Sequence, residues 1–448
     1  MKTKALANTN ERITPLIRIH NGKLKIEGVL LEDIYKPANS SYGTPRTPLY
    51  IYSRARIEEN YKTLCAALQS AFSKKGLNVV INYACKANTN PEIMKILRTL
   101  GANIDAVTRE EIEIALLCGF KPTEIFYTGV SNSAYDLNWI AESGIQINFD
   151  DPADLDKLTP ENRKQIEIAS FRVIPNVSAG HHAKTHTGHQ GSKFGIPQDD
   201  IIKAYKKAKS LGFEKFGIHC HIGSGSLEIE PFVKEAKAMV SIIRTLKKQL
   251  GIELAYIDLG GGFGVPYKPD ELPLNIEKMA EQVAAEINSG ISELDYSNLP
   301  TIHFEPGRYI VCDAGVIVTT VNTVKKSSGV TYALVDASMA TLLRPAMYDS
   351  YHHIIKDGSQ TRTKTLYTIA GRVCESGDII GENRMLPKLK EGDVLVILNA
   401  GAYGYTMALG TYNSIGLPEQ IIVEGNIYRT ISNKMTGLDI IHTGQTTL

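Results

Sequence analysis

From about Leu49 to Glu305, short apolar runs alternate with longer stretches of mixed polarity. The runs Val79–Tyr83, Asn103–Ala106, Ile125–Thr128, Gln146–Phe149, Ile168–Val173, Phe216–His219, Tyr256–Leu259 and Thr301–Phe304 read as buried strands. Between them, Glu92–Leu100, Arg109–Cys118, Asp199–Lys209, Pro231–Leu250 and Asn275–Asn288 carry apolar residues at three- and four-residue spacing, which predicts helices packed on one face. Eight strand–helix units in succession predict an α/β architecture closed as a (β/α)8 TIM-like barrel. A doubly wound parallel sheet is the competing arrangement, because periodicity alone does not close a sheet.

After about Arg308 the pattern changes. Gly315–Val324, Tyr332–Val335, Thr365–Ile369 and Val394–Leu398 read as strands with few helices between them, so a C-terminal β-rich domain is expected. Leu24–Leu30 and Leu49–Tyr52 also read as strands and can pair into it. The expected organisation is an N-terminal segment over 1–48 pairing with the β domain, a barrel over 49–308 and the β domain over 309–448.

Composition narrows the function classes. The 448 residues are enough for two domains, and 22% charged with 43% hydrophobic residues is an ordinary globular balance. The net charge of +1, from 49 basic and 48 acidic residues, gives no footprint for nucleic acid or an anionic membrane. No apolar run approaches the ~20 residues of a membrane span, and Met1 to Arg12 is polar, without a signal-peptide core. Cys65, Cys85, Cys118, Cys220, Cys312 and Cys374 are scattered singly, which predicts neither a disulfide framework nor a zinc ribbon and favours a cytoplasmic protein.

The chemistry collects at predicted strand ends, where a barrel builds its site. Lys86 follows the first barrel strand in Tyr83-Ala84-Cys85-Lys86-Ala87-Asn88. An amine held at the mouth of an apolar strand is partly desolvated and becomes a usable nucleophile, whereas a lone lysine there would only snorkel to water. Asp105, Arg172, His219, His221, Gly260 to Gly262 and Glu305 fall at or just past other strand ends. The run Asp258-Leu259-Gly260-Gly261-Gly262-Phe263-Gly264 and the turn Gly223-Ser224-Gly225 let backbone N–H groups approach an anion, although ordinary tight turns use glycine too. A lysine, a stacking histidine, a phosphate cradle and a carboxylate together are what pyridoxal phosphate needs.

Two further clusters stand out. His181, His182, His186 and His189 crowd one loop, but no nearby cysteine or acid completes a tetrahedral set, so no metal site is expected. In the β domain, Arg344-Pro345-Ala346-Met347-Tyr348, Cys374-Glu375-Ser376-Gly377-Asp378 and Gly401-Ala402-Tyr403-Gly404 combine groups suited to a carboxylate and an ammonium. Each is an ordinary surface feature alone; jointly they would read the α-amino-acid end of a ligand.

In order and combination, Y-A-C-K-A-N, H-C-H-I-G-S, D-L-G-G-G-F-G, E-P-G-R, R-P-A-M-Y, C-E-S-G-D and G-A-Y-G make the chain resemble the diaminopimelate decarboxylases, within the fold-type III pyridoxal-phosphate decarboxylases, from about Gly43 to about Asn413. The resemblance implies that Lys86 bonds pyridoxal 5'-phosphate, that His221 stacks on its ring, and that Ser224, Gly261, Gly262 and Tyr403 hold its phosphate. It implies that Glu305 pairs with the ring nitrogen and that Cys374 returns a proton after carbon dioxide leaves. It further implies that Arg308, Arg344 and Tyr348 bind the distal carboxylate, that Glu375 binds the distal ammonium, and that the sites are shared within a homodimer.

The implied reaction is decarboxylation of meso-2,6-diaminopimelate to L-lysine. A decarboxylase of a related diamino acid, such as D-ornithine or D-lysine, would need less of the Arg344 and Tyr348 clamp. A non-catalytic cofactor-binding regulator would not need both Lys86 and Cys374. The chain departs from the family pattern at Thr108-Arg109-Glu110, at His186, and at Ser414-Ile415-Gly416-Leu417-Pro418.

Overall fold

The computed structural model describes residues 11–20, 22–36, 45–177, 179–180, 188, 191–358 and 363–442. Two compact units divide the chain: a barrel unit of Asn60–Pro266 with Leu272–Tyr309, and a β unit of Met1–Glu59, Tyr267–Glu271 and Ile310–Leu448.

The barrel unit contains eight strands: β1 (Val79–Ala84), β2 (Asn103–Ala106), β3 (Ile125–Tyr127), β4 (Gln146–Phe149), β5 (Ile168–Arg172), β6 (Lys215–His219), β7 (Leu254–Asp258) and β8 (Thr301–Phe304). They form a closed barrel in sequence order, every neighbour parallel, with β8 returning to β1 through Ile302 opposite Val79 and Phe304 opposite Ile81. Closure settles in favour of the TIM-like barrel over the open sheet. Parallel strands covered by helices are buried on both faces, which is why they read as near-continuous apolar runs.

The outer helices carry the expected stripe. In Pro91–Thr99, Ile93, Met94, Ile96 and Leu97 are buried, each worth roughly 1.5–3 kcal/mol in removal from water. This helix starts cleanly because the Asn90 side chain accepts from the Glu92 N–H and Pro91 occupies the first turn. The barrel interior is partly polar. The Asn82 amide lies 3.1 Å from His303 Nδ1, and Tyr256 donates its hydroxyl to Asn148 at 2.6 Å. Burial pushes the His303 imidazole down to about 4, so it is neutral and fit to accept at Nδ1.

In the β unit one sheet runs in the order Ile379–Pro387, Lys364–Ala370, Val330–Val335, Gly315–Ser327, Leu49–Ser53, Glu419–Glu424, Ile427–Ser432. Leu49–Ser53 sits centrally, antiparallel to Gly315–Val318 and parallel to Glu419–Val423. A small N-terminal sheet including Ile17–His20 and Lys23–Ile26 joins the same core, where Leu24, Ile26, Leu49, Ile51, Val316, Val396 and Ile421 pack together. Among the described residues, no helix is long and apolar enough to cross a membrane.

Candidate active site

Strand β1 is buried from Ile81 to Ala84, and the chain then tightens into one 3-10 turn, Cys85–Ala87. Cys85 and Ala87 point inward while Lys86 keeps 36% of its side chain exposed at the strand's mouth. Its Nζ donates to Asp105 Oδ2 at 3.1 Å, at the end of β2. Asp105 is wholly buried, and its other oxygen accepts from the Thr128 hydroxyl. Burial and the nearby Glu305 charge push the Asp105 carboxyl up, while Lys86 and Thr128 work against them. Ala84 N–H donates to Pro306 O at 3.1 Å, tying the Lys86 turn to the turn that carries Glu305.

Glu305 follows β8 and is 4% exposed. Its Oε2 lies 3.2 Å from His219 Nε2 at the end of β6, and its Oε1 is a buried oxygen that accepts from no described residue. Burial works to raise this carboxyl, but His219, Lys86 and His221 more than offset it and hold it at about 2. Asp258, at the end of β7, is driven the other way by burial and by the Glu305 charge, so of the two acids Asp258 keeps the proton. His219, Asp258 and Glu305 have ligand atoms within 4.8 Å of one another, the only such metal-like cluster among the described residues.

The glycine loops close around this carboxylate. Gly260 and Gly262 have φ of +59° and +97°, backbone that favours glycine. A Cβ on Gly261 would be driven into the Glu305 carbonyl, and one on Gly262 would stand 2.7 Å from Gly223 O. Gly225 and Ser226 N–H both donate to Gly262 O, at 2.9 and 3.0 Å, lacing the two loops together. Gly261 N–H donates to His221 Nδ1 at 3.1 Å, which places the proton of a neutral imidazole on Nε2. Burial, Arg172 and Lys86 all press His221 well below the usual histidine range. Arg308 donates twice to Ser224 Oγ, at 3.2 and 3.0 Å, putting a cation beside the serine–glycine turn.

Lys86, His221, Ser224, Gly261, Gly262, Glu305 and Arg308 are thus brought together in the barrel unit. The other expected residues lie in the β unit. Arg344 opens the short helix Arg344–Tyr348 and is 7% exposed, with its guanidinium 5.8 Å from the centre of the Tyr348 ring. Cys374 and Glu375 are exposed on the turn after strand Lys364–Ala370. The buried Asp378 shapes that turn by accepting from the Val373 and Met339 N–H groups. Glu375 accepts the Tyr412 hydroxyl at 2.6 Å. Tyr403 adopts a left-handed backbone, φ +56°. Arg308, expected to act with Arg344, lies in the barrel unit, where it donates to Ser224. His181, His182, His186 and His189 lie outside the described residues.

The family model for the pyridoxal binding domain of pyridoxal-dependent decarboxylases matches residues 55–312. The chain belongs to this decarboxylase family. It is 41% identical over 396 residues to a diaminopimelate decarboxylase of Methanothermobacter thermautotrophicus, covering 88% of this chain and 91% of that one. A diaminopimelate decarboxylase of Archaeoglobus fulgidus is 35% identical, with 94% and 96% covered. Among solved structures, diaminopimelate decarboxylase from M. jannaschii in complex with L-lysine superposes with a TM-score of 0.85 at 32% identity, covering 97% of this chain and 98% of that one.

The cofactor of this decarboxylase is pyridoxal 5'-phosphate, and the residues fit it. Lys86 offers an amine for its aldehyde, Glu305 Oε1 a buried carboxylate oxygen with no described donor, and Gly261 and Gly262 a backbone cradle that no larger residue could share. Sequence reasoning missed several supporting groups. Tyr267 packs on Arg344, Tyr412 holds Glu375, and Cys220 donates to Glu235 Oε1 at 3.1 Å behind the histidine pair. Glu235 is 2% exposed, and burial pushes it up to about 8 despite the Cys220 hydrogen bond. The only sequence signal for it was an acid on the apolar stripe of Glu230–Leu250, between Val233 and Ala236.

Proposed function

We propose that the enzyme removes one carboxylate of meso-2,6-diaminopimelate to give L-lysine and carbon dioxide, the last step of lysine biosynthesis. The observation that carries this reading is that Lys86, bonded to Asp105, lies near enough for its charge to act on Glu305, a buried carboxylate held ionised by His219 with its second oxygen turned to no described donor. Lys86 would bind the cofactor covalently. Ser224, Gly261, Gly262 and Tyr403 would hold its phosphate, and His221 would lie against its ring. Glu305 would keep the ring nitrogen protonated, because an ionised carboxylate favours the cationic form of a neighbouring base. Pyridoxal phosphate supplies the electron sink for the pair left on carbon when carbon dioxide departs.

The remaining steps belong to side chains. Cys374 would deliver from Sγ the proton that replaces carbon dioxide. Arg344, with Tyr348 and Arg308, would bind the distal carboxylate, and Glu375 the distal ammonium; the similarity to diaminopimelate decarboxylases supports a substrate with an amino-acid group at both ends. Two identical chains would share their sites, and the single, free cysteines suit the cytoplasm.

The test is release of carbon dioxide by the cofactor-loaded enzyme from meso-diaminopimelate, lysine, ornithine and arginine in parallel. Diaminopimelate should be preferred; preference for another of the four overturns the substrate assignment. Mixing inactive Lys86→Ala and Cys374→Ala chains should restore activity, since one site of the hybrid holds both intact groups. No recovery after verified subunit exchange rules out a shared site.

A further inference from the structure

The segment Tyr267–Glu271 follows the barrel's triple-glycine loop yet belongs to the compact β unit. It is folded on itself by Glu271, whose Oε2 accepts from the Tyr267 and Lys268 N–H groups at 2.8 and 3.1 Å. Its aromatic ring is held on three sides. The Tyr267 hydroxyl lies 3.1 Å from Cys312 Sγ, and Cys312 Sγ lies 3.2 Å from the Asn399 carbonyl. A carbonyl only accepts, so the thiol donates to Asn399 and the sulfur accepts from Tyr267. The buried His352 ring meets Tyr267 edge-on, 5.3 Å between centres at 90°. On the third side the Arg344 guanidinium lies 5.6 Å from the ring centre.

Arg344 itself is 93% buried, and no described carboxylate forms an ion pair with it. Its terminal nitrogen donates to Ser350 Oγ at 3.1 Å, and its Nε meets no described acceptor. The two rings of Tyr267 and Tyr348 are therefore the negative faces that offset a buried charge until an anion arrives. Tyr348 shares the short helix with Arg344 and so offers no independent anchor. Tyr267 is anchored elsewhere, through Cys312 and Glu271, so it is the fixed reference against which the guanidinium is aimed. We infer that Tyr267 is a positioning residue that aligns Arg344 for the carboxylate of the substrate, an inference that rests on the substrate reading above.

The experiment measures KM and kcat for meso-diaminopimelate in the holoenzyme for Tyr267→Phe, Tyr267→Leu, Arg344→Ala and Tyr267→Leu with Arg344→Ala, with thermal midpoints to verify folding. Tyr267→Phe keeps the ring and the Glu271 hold on its backbone but loses the Cys312 bond, so its KM should lie between those of the parent and Tyr267→Leu. Tyr267→Leu should raise KM about two- to thirtyfold, the range for a lost cation–ring contact, with little change in kcat. The same change should add nothing in the Arg344→Ala background, because the group it aligns is gone. A normal KM in Tyr267→Leu, or an equal loss in both backgrounds, overturns the inference while leaving Arg344 as the carboxylate ligand. A normal KM in Arg344→Ala overturns the substrate reading itself, and the role of Tyr267 with it.

Discussion

Glu235 gives a quantitative check on the electrostatics behind the two histidines. Burial shifts its carboxyl from the ordinary value near 4.5 to about 8, with the Glu305 charge adding and the Cys220 S–H opposing. The folded chain therefore holds this proton across a window where the unfolded chain releases it. Stability must fall as pH rises from about 4.5, and the loss is complete above about pH 8. The slope of about 1.4 kcal/mol per pH unit integrates to roughly 3–4 kcal/mol between pH 5 and pH 8. Glu235→Gln keeps an oxygen for Cys220 and cannot ionise, so it should lose this dependence. The single tryptophan, Trp139, lies in the barrel-unit helix Ala134–Glu142, so its fluorescence during urea unfolding reports on the unit that contains Glu235. The stability gap between Glu235→Gln and the parent should widen in favour of the variant by up to that amount from pH 5 to pH 8. Any constant effect of the amide cancels in the comparison, as do the other titrating groups. Parallel stability curves over this range would show that Glu235 is ionised in the folded state and refute the reasoning.

The barrel site makes two further predictions. Glu305→Gln should slow carbon dioxide release by roughly 10²-fold, as the loss of one preorganised electrostatic group typically does, while visible absorbance shows the cofactor still bound; near-normal turnover would remove Glu305 from its role. Gly261→Ala should lose cofactor binding, because its new methyl meets the Glu305 backbone, whereas Gly437→Ala, with nothing within 4 Å, should not; equal cofactor content in the two variants would count against the cradle.

The barrel was legible because each of its strands is short, apolar and buried on both faces, with a helical stripe following. Edges drifted by a residue or two: β7 runs Leu254–Asp258 rather than Tyr256–Leu259, starting earlier across the exposed Ala255. In the β unit, Ile379–Pro387 went unseen because Glu382, Asn383 and Arg384 interrupt its apolar pattern. The strand-end rule picked out Lys86, Asp105, His219 and Glu305 because a parallel barrel gathers such positions at one end. Glu235, Tyr267 and Tyr412 were not legible. Their roles depend on partners brought near only by folding: Cys220 fifteen positions away, Cys312 forty-five away and Glu375 thirty-seven away. Arg308 shows the same limit, since its proximity to Ser224, eighty-four positions earlier, is set by β8 closing on the barrel.

The central place of Leu49–Ser53 in its sheet has a consequence for synthesis. Tyr52 donates its hydroxyl to Gln420, 368 residues later. At about 5–20 residues per second the ribosome needs roughly 20–75 s to cover that distance. Until then the strand lacks its parallel neighbour, and until Gly315–Val318 is made it lacks its antiparallel neighbour as well. The barrel, whose pairings are nearly all between successive strands, can form in the meantime. The nascent chain thus carries an orphaned strand for most of its production, the period in which a chaperone that shields strand edges would matter most.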